Sequence, residues 1–235
     1  MTAEQQALAR GLEWHAADGP EQQAEAVAAH ILVLLRDAIE QRGQASLALS
    51  GGRGPERFLR RLEQADFAWE QVTITQVDER WLPAEHEQSN AGLIQRCMPQ
   101  VVQRATWLPM YLGQSLQGDA QSCHAMLADL TPLDVVVLGM GPDGHTASLF
   151  PHMPKLGDYL SEQNPELCIA VPEEGERLPR LSMTAAVINR ARSKMLVING
   201  EDKYQQLASA LATRNPLALP IAAFLSPPMD IFYSP

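Results

Sequence analysis

Apolar residues recur along this chain with two periods, and the switches between them outline the fold. After Asp18-Gly19-Pro20, the residues Ala24, Val27, Ala28, Ile31, Leu35, Ala38 and Ile39 recur at steps of three and four. That is the stripe of one helix face, and Gly43 is placed to end it. Ser46-Leu47-Ala48-Leu49 reads as a short buried strand. The turn Ser50-Gly51-Gly52-Arg53-Gly54-Pro55 follows, then a helix marked by Phe58, Leu59 and Leu62, with Pro55 suited to its first turn. Residues 72–77 form the next expected strand, which runs into the charged loop Asp78-Glu79-Arg80-Trp81-Leu82-Pro83. Ser89-Asn90 is a cap for a helix through Ile94 and Cys97. A helix over 119–130 precedes a strand over 134–138. Residues 167–171 and 194–198 are strand-like, 172–179 form a polar, glutamate-rich loop, and Arg180-Leu181-Ser182-Met183-Thr184 alternates polar with apolar. Asn199-Gly200-Glu201-Asp202-Lys203 opens a helix ending near Thr213, and 220–225 and 229–233 are read as terminal strands.

The repeated order of strand, glycine turn and helix predicts an α/β fold with a mostly parallel sheet covered on both faces. No linker or internal repeat divides the chain, so residues 1–235 are expected to form one domain.

Charge narrows the partners. A formal net charge of −10 argues against a nucleic-acid surface, which needs a basic patch. An anionic ligand would require a locally basic site against that field, which raises the interest of arginines and lysines beside turns. The cysteines Cys97, Cys123 and Cys168 form no CxxC pair and read as reduced, buried thiols. The N-terminus lacks a basic and an apolar region of signal-peptide type. The apolar run over 27–35 contains His30 and is too short to span a bilayer. A cytoplasmic protein without membrane contact is expected.

The candidate chemistry lies in the run from Val135 to Pro151, where a buried strand enters Gly139-Met140-Gly141-Pro142-Asp143-Gly144-His145-Thr146. Histidine has the side-chain pKa nearest neutrality, and open α/β sheets place their chemistry beyond the carboxyl ends of strands. His145 is therefore the candidate base, with Asp143 or Asp78 as alternative groups to orient its ring. The Ser50–Pro55 turn lets backbone N–H groups approach an anion, and Arg53 adds a full charge, but the Walker ending is missing. Arg180 shares a strand face with Ser182 and Thr184. Lys203 stands in the first turn of a helix, where a bound anion would relieve its clash with the dipole; the alternative is an ordinary helix-surface lysine. No second histidine stands at ligand spacing, so no metal is expected, and an incomplete GxGxxG argues against a nicotinamide cofactor.

Taken together, Leu49-Ser50-Gly51-Gly52, Asp78-Glu79-Arg80-Trp81-Leu82-Pro83 with Ser89-Asn90, Leu138 to Pro151, and Gly200-Glu201-Asp202-Lys203 resemble the 6-phosphogluconolactonases, in the same order and over nearly the whole chain. The resemblance implies the Rossmann-like fold shared with glucosamine-6-phosphate deaminases and ribose-5-phosphate isomerases. Deaminases continue after the histidine toward Asn-Glu-Pro and carry tyrosine at the place of Arg80, whereas this chain has Ser148-Leu149-Phe150-Pro151. Two departures from the lactonase pattern stand out: Gly54 where threonine is usual, and Gln76 where an acidic or small residue is usual.

The resemblance implies hydrolysis of 6-phospho-D-glucono-1,5-lactone to 6-phospho-D-gluconate, the second step of the oxidative pentose phosphate pathway, with no cofactor. His145 would activate the attacking water. The phosphate would be held by Ser50, Gly51, Gly52, Arg53, Arg180 and Lys203, and Arg80 would bind phosphate or sugar hydroxyls. A monomer or weak homo-oligomer is expected. The competing expectations are a deaminase/isomerase acting on an amino sugar phosphate and a non-catalytic sugar-phosphate sensor.

Overall fold

The computed structural model describes residues 1–52 and 54–235. In chain order its strands are β1 (Glu13–Ala16), β2 (Ala45–Leu49), β3 (Val72–Gln76), β4 (Asp78–Arg80), β5 (Thr106–Trp107), β6 (Val135–Leu138), β7 (Cys168–Val171), β8 (Arg180–Met183), β9 (Ser193–Asn199) and β10 (Met229–Ser234). The helices are α1 (Ala3–Leu8), α2 (Pro20–Arg42), α3 (Glu56–Glu63), α4 (Asn90–Cys97), α5 (Pro99–Arg104), α6 (Leu116–Leu130), α7 (Leu156–Tyr159), α8 (Ala185–Ile188) and α9 (Glu201–Thr213).

Among the described residues, seven strands pair in the order β1-β10-β9-β6-β2-β3-β5, every pair parallel. The central strands β2 and β6 read as near-continuous apolar runs because both of their faces are covered. Leu47, Leu49, Val135, Val137 and Met195 point into one core with Ile31 and Leu35 of α2 and Phe58 and Leu62 of α3. Ala48, Val136, Leu138 and Leu196 point into the other, with Leu127 of α6 and Leu207 and Leu211 of α9. Each such fully buried leucine or isoleucine contributes roughly 1.5–3 kcal/mol. The helix α2 ends as the sequence predicts, on Gly43 in the left-handed region with φ 78°.

Three segments differ from expectation. The charged triplet Asp78-Glu79-Arg80 is strand β4 rather than loop. It pairs antiparallel with β8, which pairs with β7, in a separate three-stranded sheet. Arg180 and Ser182 share a face of β8 as expected, but Thr184 has left the strand and is the N-cap residue of α8. Residues Pro220–Ala223 form a 3-10 helix, not a strand; Pro220 has no N–H to give a ladder. The strand expected over 229–233 is present as β10, which lies between β1 and β9. The pattern also passed over short or weakly periodic elements, namely α1, β1, α5, β5, α7 and α8. No described helix is long and apolar enough to cross a membrane.

Candidate functional site

The parallel register sets Leu49, Val137 and Met195 side by side, so β2 and β6 release their chains at nearly the same level. Their following turns, the end of β9 and the face of the small sheet enclose a cleft of about 190 Å³. Its lining includes Ser50, Gly51 and Gly52 after β2, Gly139, Gly141 and His145 after β6, Asn199 at the end of β9 and Lys203 in α9. Asp78, Arg80, Asn90 and Arg180 form a further part of its wall.

The turn after β6 is built to hold an imidazole. The Gly141 N–H donates to the His145 carbonyl at 2.9 Å, the Gly144 N–H to the Gly141 carbonyl at 3.1 Å, and Thr146 Oγ1 to the Gly139 carbonyl at 2.8 Å. Gly141 is required because a Cβ there would overlap the imidazole ring. Gly144 adopts φ 76°, and its carbonyl accepts from the Ile221 N–H at 2.9 Å, which ties the turn to the 3-10 helix. The His145 ring packs on Phe150 with centroids 4.6 Å apart. Its Nδ1 lies 2.5 Å from Asp143 Oδ1, and its backbone N–H donates to the same oxygen at 3.2 Å. A carboxylate only accepts, so the proton of a neutral ring sits on Nδ1 and the Nε2 lone pair is left for other work. Burial pushes the Asp143 carboxyl up, but the hydrogen bonds and charge of His145 outweigh it and hold its pKa below the usual value.

Asp78, the other aspartate considered for His145, is engaged elsewhere. Its Oδ2 accepts from Ser148 Oγ at 2.6 Å and lies 3.9 Å from Arg180 Nη1. Arg180 is mostly buried; burial lowers its pKa most, Asp78 opposes this, and neighbouring Arg80 and Arg177 add to the lowering. Arg80 donates through Nη1 to the Gln88 carbonyl at 2.7 Å and to Asn90 Oδ1 at 3.0 Å. Ser50 Oγ, Arg80 Nε and Arg180 Nε are buried with no hydrogen-bond partner among the described residues. A hydroxylated anion would satisfy such groups. Burial lowers the Lys203 pKa, a cost that a bound anion would offset. The cleft thus sets Arg80, Arg180 and Lys203 against Asp78, a basic pocket in a chain of net charge −10.

Of the residues singled out from sequence, Ser50, Gly51, Gly52, Asp78, Arg80, His145, Arg180 and Lys203 line this cleft, and Asp143 reaches it through His145. Arg53 lies outside the described residues. Asn90 was legible as a helix start and as part of the lactonase-like pattern, but not as a residue of the site; its Nδ2 donates to the Asp78 carbonyl at 2.8 Å and its amide packs against the Gly51 backbone. Ser148, inside the recognised run, gave no sign of its bond to Asp78. Among the described residues, no group of three or more His, Cys, Asp or Glu is placed to hold a metal ion.

Known proteins share this arrangement of sequence and fold. The model of the family described as glucosamine-6-phosphate isomerases/6-phosphogluconolactonase matches residues 18–231. A 6-phosphogluconolactonase of Pseudomonas aeruginosa is 37% identical over 217 residues, covering 91% of each chain. One of Pseudomonas putida is 40% identical over 203 residues, covering 86% of this chain and 84% of its own. The crystal structure of a 6-phosphogluconolactonase from Shewanella baltica superposes with a TM-score of 0.89 at 31% identity, over 95% of this chain and 98% of its own. The chain belongs to the family of glucosamine-6-phosphate isomerases and 6-phosphogluconolactonases.

Proposed function

We propose that this chain hydrolyses 6-phospho-D-glucono-1,5-lactone to 6-phospho-D-gluconate, the lactone-opening step of the oxidative pentose phosphate pathway. The observation that carries the reading is His145, seated on the glycine turn in the cleft, with Nδ1 on Asp143 and Arg80, Arg180 and Lys203 among the cleft's lining residues. The lactone carbonyl is already electrophilic, so water is a sufficient nucleophile once a base takes its proton.

His145 Nε2 removes a proton from water as the water oxygen attacks C1. The tetrahedral oxyanion then collapses, the bond from C1 to the ring oxygen breaks, and the imidazolium returns its proton to that departing oxygen. Asp143 keeps Nδ1 protonated and favours the imidazolium that forms between the two steps. Asp78 takes a place in the wall through Ser148 and Arg180 rather than behind the ring. The Gly141 and Gly144 N–H groups are used within the turn, so backbone donors to the oxyanion come from elsewhere in the glycine turns. Ser50, Gly51, Gly52, Arg53, Arg180 and Lys203 hold the phosphate, and Arg80 holds phosphate or sugar hydroxyls. The working unit in this proposal is one domain over residues 1–235, a monomer or weak homo-oligomer in the cytoplasm.

The test is a coupled assay of fresh lactone, corrected for spontaneous hydrolysis, beside an ammonia assay with glucosamine 6-phosphate. Accelerated release of 6-phosphogluconate without ammonia is expected. Ammonia release without lactone hydrolysis would overturn the reading.

A further inference from the structure

Glu79 has no exposed surface, yet it stands between two residues of the cleft wall. Successive strand side chains alternate, so Asp78 and Arg80 face one side of β4 and Glu79 the other. Its carboxylate receives five hydrogen bonds. Oε1 accepts from the N–H groups of Arg80 at 2.7 Å and Asn90 at 2.8 Å. Oε2 accepts from the Ala91 N–H at 2.7 Å, Gln76 Nε2 at 2.7 Å and Ser89 Oγ at 3.2 Å. Gln76 Oε1 accepts from the Met110 N–H at 2.9 Å, which turns its NH2 end toward Glu79. The uncommon glutamine noted in the sequence thus has a partner.

These donors come from the end of β3, from β4 and from the start of α4, where backbone N–H groups lack partners within the helix. Burial, the largest influence, together with the charge of Asp78, pushes the Glu79 carboxyl up to about 7 against the pull of the Ala91, Asn90 and Arg80 N–H groups. Asn90 passes the anchorage on. Its Nδ2 holds the Asp78 carbonyl and its Oδ1 holds Arg80 Nη1, both in the cleft wall.

We propose that Glu79 is the positioning residue of this wall: it fixes the backbone of Arg80 and Asn90, and so fixes where their side chains meet the substrate. Glu79 itself does not touch the ligand. The proposal deepens the lactonase reading and rests on it. A carboxylate is needed because every partner donates. In Glu79→Gln the amide NH2 would face either the Arg80 and Asn90 N–H groups or, turned over, the Ala91 N–H and the Gln76 amide.

The experiment is steady-state kinetics on fresh lactone for the wild type, Glu79→Gln, Asn90→Ala, the double variant and Gln76→Met, with a thermal melt of each. Glu79→Gln is expected to raise KM by about tenfold or more while kcat changes by less than about threefold. If Glu79 acts through Asn90, the double variant's KM does not exceed that of the worse single variant. A folded Glu79→Gln with wild-type KM, or KM effects that multiply independently, would overturn the proposal. Should Glu79→Gln not fold, Gln76→Met decides: KM raised a few-fold supports the proposal and an unchanged KM overturns it. A wild type that leaves the lactone at its spontaneous rate overturns the lactonase reading, and this proposal with it. An active wild type beside an unaffected Glu79→Gln overturns this proposal alone.

Discussion

Among the described residues stand two histidine–aspartate clusters of similar chemistry, and the first of them lies in the cleft. In the first, His145 Nδ1 meets Asp143 at 2.5 Å. In the second, His15 of β1 and His30 of α2 share Asp230 of β10, with Nε2 atoms 2.7 and 3.4 Å from its two oxygens. Both aspartates behave alike: burial pushes each carboxyl up, and the histidines outweigh it and hold the pKa low. The difference is the setting. His15 stacks on Phe232 with centroids 4.4 Å apart near the β1 edge of the sheet, and it presents Nε2 to the carboxylate. His145 spends Nδ1 on its aspartate, which leaves Nε2, and it shares its cleft with three basic residues. A histidine paired with an aspartate is common structural chemistry. It becomes a candidate base when the glycine turn, the cleft and the cations are added.

His145→Ala should lower kcat by about 10²–10⁴-fold while sparing 6-phosphogluconate binding, measured by calorimetry. Asp143→Asn should lower kcat by about a hundredfold: its amide favours the wrong tautomer, although the half-exposed side chain can turn its oxygen back. Lys203→Ala should leave kcat nearly unchanged and raise KM by about ten- to a hundredfold, the loss of one charge-assisted contact. An unchanged KM would remove Lys203 from the phosphate site. Asp230→Asn should leave both kinetic constants within about twofold, and destabilise the fold at neutral pH by about 1 kcal/mol. Because the folded pKa of Asp230 lies below 3.8, its contribution is present above that pH and is lost as pH falls through the folded value. Urea unfolding from pH 7 down to pH 3 should therefore show a shallower acid loss in Asp230→Asn than in wild type.

What could be read from sequence follows the distance over which each feature is encoded. Asp143 and His145 are two residues apart on a turn whose glycines announce it, so their place at a strand end was legible, while Asp78 stood open as the alternative partner of the ring. The centre of the large sheet was legible because strands such as β2 and β6 are covered on both faces and read as apolar runs, whereas the exposed edge strands β1 and β5 do not. The small sheet was not, because Asp78-Glu79-Arg80 has the composition of a loop and becomes a strand only when β8 arrives to pair with it. The choice between Asp78 and Asp143 also depended on contacts across the chain, since Ser148 is 70 residues from Asp78. Glu79 read as one charge among three; its burial is set by α4 and Gln76, which no local pattern links to it. The 3-10 helix at Pro220 was misread as strand because four apolar residues at a buried site suit either form.

The most direct measurement sets the two clusters side by side: release of 6-phosphogluconate from fresh lactone by wild type, His145→Ala and His15→Ala, with spontaneous hydrolysis subtracted. A wild-type rate is expected for His15→Ala, and a collapse of kcat toward background for folded His145→Ala. A folded His145→Ala with wild-type kcat would contradict the role of His145 as the base.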